Sequence, residues 1–204
     1  MRLNTIAFFG CADGHPGQDH FDAARAVATE IAKSGRTVLN GGGPGVMLAA
    51  TVGAKEGHGK TQVVYYKPEM ATMFEGQAAV NHADIAFEES NYVERTKKLL
   101  ELGDAYIIFN GGTGTISEFA MAWGVARLYF GHHKPLILYG DFWHDIMNTF
   151  KHTMLVRPEE YQVFKIVNTP EQAMEHIHHY EHVVAAQHHD KEKCVGKECY
   201  LFLS

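Results

Sequence analysis

Two glycine-rich turns hold the residues best placed for chemistry. Gly41-Gly42-Gly43-Pro44-Gly45 and Gly111-Gly112-Thr113-Gly114-Thr115 each follow a short apolar run and precede a helical pattern. Glycine has no Cβ, so backbone N–H groups can approach a ligand closely. The free N–H groups and positive dipole end of the following helix suit a phosphate. Thr113 and Thr115 add hydroxyl donors at the second turn. One such turn is readily a packing device, whereas two in one sheet point to a phosphorylated ligand. Glu118 falls in the first or second turn of the helix after the second loop. It is either a dipole-stabilising acid on a solvated face or a carboxylate beside the phosphate loop, able to engage a ribose or activate a water. Spacing leaves both open.

The elements that must position these residues alternate along the chain, the signature of an α/β fold with an open parallel sheet flanked by helices. Strands are expected at Thr5–Phe9, Thr37–Leu39, Gln62–Tyr66, Ile85–Phe87, Tyr106–Phe109, Pro135–Tyr139 and Tyr161–Val167. Helices are expected from Phe21 to Ile31 (closed by Gly35), about Gly45 to Lys55, Tyr92 to Leu102, the segment carrying Phe119, Ala122, Trp123 and Ala126, Phe142 to Thr149, and Glu171 to Tyr180. Residues 67–82 show no clear period and read as a wrap over one end of the sheet. The reading is one Rossmann-like three-layer α/β/α domain over residues 1–186, with a polar tail at 187–204. In such sheets ligands bind beyond the carboxyl ends of the strands, where both glycine turns lie.

A chain of 204 residues, 46% hydrophobic and 21% charged, can bury one full core. A net charge of −6 argues against a nucleic-acid partner, which calls for a basic face. No run approaches the roughly 18 apolar residues of a membrane span. Three cysteines at irregular spacing give no disulfide framework, so a reduced, cytoplasmic protein is expected.

Several patterns compete. Ala54–Thr61 satisfies a relaxed triphosphate-loop pattern but leaves a helix and enters a strand, the reverse of the required order. No G-x-G-x-x-G occurs, which speaks against a nicotinamide cofactor. His178-His179-Tyr180-Glu181-His182 matches an inverted zinc-protease pattern, and His188, His189, Cys194 and Cys199 offer a tail metal site. With 14 histidines such matches arise by chance, and no metal or other cofactor is expected. Cys11, after the first strand, reads as a packed small residue, and Met121 and Trp123 as core.

Gly41 to Met47, continuing through Ala49-Ala50 and Gly53-Ala54, resembles the GGGPGxMxAAxxGA segment of the Lonely Guy (LOG) family. Asn110 to Glu118 is similar to its second signature, PGGxGTxxE. The family includes cytokinin riboside 5′-monophosphate phosphoribohydrolases. It also has a catalytic arginine in an RK pair between the two signatures, and Arg95 occupies that place. The resemblance implies a homodimer that binds a nucleotide through Gly42, Gly43, Gly45, Met47 and Gly111 to Thr115. Arg95 and Glu118 would stand at the glycosidic bond. Asn110 replaces the leading proline and Thr96 the lysine, which removes one positive charge near the site.

The implied reaction is hydrolysis of a nucleoside 5′-monophosphate, cytokinin-ribotide-like or AMP-like, to free base and ribose 5-phosphate. Its oxocarbenium-like transition state wants a carboxylate near the anomeric carbon, the role expected of Glu118. Arg95 would bind phosphate or assist departure of the base. Its alternative is a surface pair with Glu94 or Glu101. Outside catalysis, the same features fit a carrier of a nucleotide-derived cofactor such as molybdopterin, or a nucleotide sensor.

Overall fold

The computed structural model describes residues 2–67 and 81–186. Most of the stretch read as a wrap and the polar tail with its candidate metal ligands lie outside the described residues.

Strand and helix alternate among the described residues except between the third and fourth strands, and every strand pairing is parallel. The strands are β1 (Thr5–Phe9), β2 (Thr37–Asn40), β3 (Thr61–Tyr66), β4 (Ile85–Glu89), β5 (Ala105–Ile108), β6 (Leu136–Tyr139) and β7 (Phe164–Val167). They form one sheet in the order β4-β3-β2-β1-β5-β6-β7. The helices are α1 (Asp19–Lys33), α2 (Val46–Glu56), α3 (Tyr92–Leu102), α4 (Thr113–Leu128), α5 (Phe142–Thr153) and α6 (Pro170–Ala186). No helix among the described residues is long and apolar enough to cross a membrane.

Strand side chains alternate between faces, so each central strand feeds two cores. Ile6 and Phe8 join the core under α1, α2 and α6, while Ala7 and Phe9 join the one under α3, α4 and α5. This is the three-layer sandwich expected from the sequence. From β1 the chain winds outward to β4, then α3 carries it back to β5 on the other side of β1. Loops on the two sides of that switch point diverge at the carboxyl ends and open a crevice there.

Two boundaries differ in informative ways. The last strand starts at Phe164, because Pro158 opens a 3-10 turn through Gln162 that absorbs Tyr161. Helix α2 stops at Gly57 and the chain enters β3 at Thr61, so the triphosphate-like pattern does run in the wrong direction.

Gly53, part of the first motif, serves packing: a Cβ there would collide with the Arg25 carbonyl of α1. Gly53→Ala should therefore prise α1 from α2 and cost about 1–3 kcal/mol, measured by urea denaturation. An unchanged midpoint would show that the two helices tolerate separation.

Candidate functional site

Helix α3 is pinned at both ends. Asn91 caps its start, its Oδ1 accepting from the N–H groups of Val93 and Glu94 at 2.9 and 3.0 Å. Lys134 Nζ holds its end by donating to the carbonyls of Leu100, Glu101 and Gly103 at 2.9, 3.1 and 2.7 Å. Between them Arg95 points inward, 8% exposed. Its Nη1 donates to Glu118 Oε1 at 2.9 Å and its Nε to the Val64 carbonyl at 3.2 Å. The guanidinium also lies over the Tyr92 ring, 5.8 Å from the centroid, with Nη2 3.7 Å from Met47 Sδ.

Glu118 is 5% exposed, so it is not an acid on a solvated face. Nor is Arg95 paired with Glu94, which instead meets Lys97 at 3.4 Å. Burial pushes the Glu118 carboxyl above its ordinary value of 4.5, with Arg95 pulling it back in part.

The two glycine turns are not equivalent. The first is packed shut: Gly45 sits at φ +61°, and a Cβ there would collide with the Cys11 carbonyl, which also accepts from Val46 N at 3.0 Å. Gly42 N donates to Asn40 Oδ1 at 2.8 Å, and Asn81 Nδ2 donates to the Gly43 carbonyl at 2.9 Å. At the second turn only Gly111 is packed, against Thr115 and the Cys11 backbone, while Gly112 and Gly114 have room. Helix α4 starts after Gly112 without a side-chain cap, leaving the N–H groups of its first turn for a ligand.

A cavity of about 330 Å³ lies between these turns, the loop after β1, the end of β3, and helices α3 and α4. That is the size of a small-molecule site. Of the residues expected at the site, Gly43, Met47, Gly112, Thr113, Gly114, Thr115, Arg95 and Glu118 line it. Gly42, Gly45 and Gly111 do not; they shape the backbone behind it.

Tyr65, Tyr66, Tyr92 and Asp13 stand in the cavity wall without having been expected there, and Gly41, expected only as part of the first turn, joins them. Tyr65 and Tyr66 end β3, where the carboxyl-end rule would have placed ligand contacts. Tyr92 lies three residues before Arg95 on the same helix, hence on the same face. Gly41 matters because the Arg95 guanidinium occupies the space its Cβ would need. Cys11 is half-buried in the wall, and burial raises its thiol pKa, which disfavours a reactive thiolate. Trp123 packs among Phe119, Phe150 and Tyr161, while Met121 is exposed on α4 rather than in the core. Glu181 of the zinc-protease-like pattern is committed to Arg36, at 2.9 and 3.0 Å, and to Leu3 N at 2.8 Å.

Comparison with known proteins places this geometry. The model of the SLOG cluster4 family matches residues 3–174. A cytokinin riboside 5′-monophosphate phosphoribohydrolase of Mycobacterium marinum is 29% identical over 142 residues, 70% of this chain and 72% of that protein. The structure of a molybdenum cofactor binding protein from Rippkaea orientalis superposes with a TM-score of 0.63 at 25% identity, covering 89% of this chain and 99% of that one. The molybdenum cofactor carrier protein of Chlamydomonas reinhardtii shares the fold, with a TM-score of 0.58 at 20% identity over 90% and 99% of the two chains.

The slot at Gly41 gives a direct test. Gly41→Ala should expel the guanidinium and leave Glu118 buried without its partner, costing about 3–5 kcal/mol by chemical denaturation. Gly112→Ala, at a position with open space and negative φ, should change stability by less than about 0.5 kcal/mol. Equal effects of the two would show that the slot does not constrain Arg95.

Proposed function

The chain belongs to the SLOG cluster4 family, and from that footing we propose that it hydrolyses the N-glycosidic bond of a nucleoside 5′-monophosphate, releasing the base and ribose 5-phosphate. One observation carries the reading: a buried Arg95–Glu118 pair at 2.9 Å in the wall of a cavity that also receives the uncapped start of α4. The phosphate sits on the N–H groups of Thr113 to Thr115. Glu118, five residues further along α4, lies about 7.5 Å down the helix axis, comparable to the reach from phosphate to anomeric carbon in ribose 5-phosphate.

With the ligand laid along α4, the Glu118 carboxylate faces C1′. It stabilises the positive charge that develops as the C1′–N bond lengthens, and it accepts the proton of the attacking water. Water oxygen bonds to C1′, the base leaves with the bonding electron pair and takes up a proton from solvent, and Glu118 releases the water's proton back to solvent. Arg95 favours the ionised form of Glu118 against the cost of burial, and its guanidinium stands in the cavity wall where the ligand lies. Phosphate contacts supply the orientation, so a dephosphorylated nucleoside reacts poorly. AMP-like or cytokinin-ribotide-like substrates are the class to try first, because of the likeness to the mycobacterial enzyme.

The likeness to the Rippkaea protein favours a second reading, in which the cavity holds a nucleotide-derived cofactor without turning it over. We also infer that the active species is a homodimer formed through α4. Apart from Glu118 and Arg127 this helix carries no charge, and Ile116, Met121 and Leu128 are exposed on it. A helix apolar on nearly every side is one buried in its assembly. Ala120 and Gly124, exposed between those residues, let a second copy of the helix approach closely.

Free base released from a panel of nucleoside 5′-monophosphates tests the reaction. Wild type should release base, and Glu118→Gln should lose about 10²–10⁴-fold in rate. The ionised carboxylate is the active form, so the rate should fall as pH drops through the Glu118 pKa, with that acid limb centred above 4.5. Nucleotide binding without base release by the wild type would leave the carrier. For the dimer, Met121→Glu with Leu128→Glu should convert the species seen by light scattering to a monomer; a wild-type monomer refutes the interface.

A further inference from the structure

Tyr92 makes contacts that neither the glycine motifs nor the arginine and glutamate account for. Its hydroxyl lies 2.6 Å from Ser117 Oγ and 3.1 Å from the Gly114 carbonyl. Ser117 itself donates to that carbonyl at 2.8 Å. One proton assignment satisfies all three atoms: Ser117 donates to Gly114 O, and Tyr92 donates to Ser117 Oγ with Gly114 O as its second acceptor. The other end of the same side chain is equally engaged. Its ring meets Tyr66 edge-on, with centroids 6.1 Å apart, and carries the Arg95 guanidinium on its face.

We propose that Tyr92 is a positioning residue that locks the first turn of α4, the phosphate cradle, to the helix that carries Arg95. Gly114 explains the need. A glycine in the first helical turn leaves the backbone free to fray, and this turn has no side-chain cap to hold it. The Tyr92 hydroxyl grips that turn through its carbonyl, so the opposite N–H groups keep their direction toward the cavity. The ring fixes the guanidinium independently of the hydroxyl. The two functions of the side chain are therefore separable by substitution.

This inference rests on the proposed site, and its test distinguishes the two. Tyr92→Phe keeps the ring and removes only the hydroxyl, while Ser117→Ala removes the bridge from the α4 side. Both should weaken binding of AMP and of inorganic phosphate about three- to tenfold by calorimetry, the loss expected for one or two hydrogen bonds. Affinity for adenosine, which lacks the phosphate, should be unchanged. In base release the same variants should raise KM and leave kcat within about twofold, whereas Tyr92→Leu lowers kcat as well because the guanidinium loses its platform. Melting temperatures of all variants confirm folded protein. If Tyr92→Phe binds phosphate as tightly as wild type, or weakens adenosine and AMP alike, the proposal is wrong even where base release is intact. If wild type releases no base but Tyr92→Phe still weakens phosphate binding selectively, the positioning role stands and the hydrolase reading falls.

Discussion

Everything around the cavity answers to the burial of two opposite charges, Arg95 and Glu118. Taking both out of water costs several kcal/mol per ion, which their attraction offsets only when the remaining protons and lone pairs are also engaged. The surroundings supply those partners: the Val64 carbonyl takes Nε, the Tyr92 ring faces the guanidinium, and Gly41 gives up its side-chain space to Nη2. Helix α3 is fixed at both termini, which sets the place from which the arginine reaches inward. An apolar pair of similar volume would serve stability at least as well. Stability therefore gives no reason for charge at this place, whereas a ligand-binding wall does.

The electrostatics of the cavity refine the picture of how an anion is held. Among the described residues Arg95 is the one Lys or Arg in its wall, and Glu118 already balances it; Asp13 adds a further carboxylate. In the proposed function, attraction for phosphate rests on the oriented N–H groups at the start of α4 and not on net positive charge. This bears on the two departures from the family signatures. Thr96 is fully buried and outside the cavity wall, so the charge missing there is missing from the packed side of α3 and not from the ligand's surroundings. At Asn110 the backbone does the work: its carbonyl accepts from Cys11 N at 2.9 Å, a bond that a proline would equally permit.

How far the sequence discloses such a site depends on the range of the interactions involved. The strands of the sheet and the helices between them follow from periodicity and glycine stops, because a doubly covered parallel sheet leaves unbroken apolar runs such as Tyr106 to Phe109. Local motif chemistry located both glycine turns. It did not tell that the Cys11 backbone packs against Gly45 and Gly111 while Gly112 and Gly114 are left with room, since those contacts join residues 34 or more apart. The pairing of Arg95 with Glu118 rather than with Glu94 or Glu101 likewise depends on two helices meeting across the sheet end. The tyrosines escaped notice because aromatic residues at strand ends and helix starts read as core until the topology shows which ends converge.

Helix α4 is where these demands meet. Its inward positions pack Phe119 and Ala122 on the sheet, the proposed function needs its first turn bare for an anion, and Glu118 sits about 1.4 turns on, in the wall of the same cavity. Helical geometry alone makes the last two compatible, because five residues rotate by about 500°, returning to within roughly 140° of the start, while advancing along the axis. The carboxylate is thus displaced both along and around the helix from the N–H groups, and the space between is bounded by α3 through Arg95 and Tyr92. A ligand anchored at the first turn reaches Glu118 only if its reacting atom lies off the line of the phosphate, on the α3 side. The ribose 5-phosphate unit of the proposed substrate has that shape, so in that proposal the choice of ligand is tied to the register of one helix rather than to any single contact.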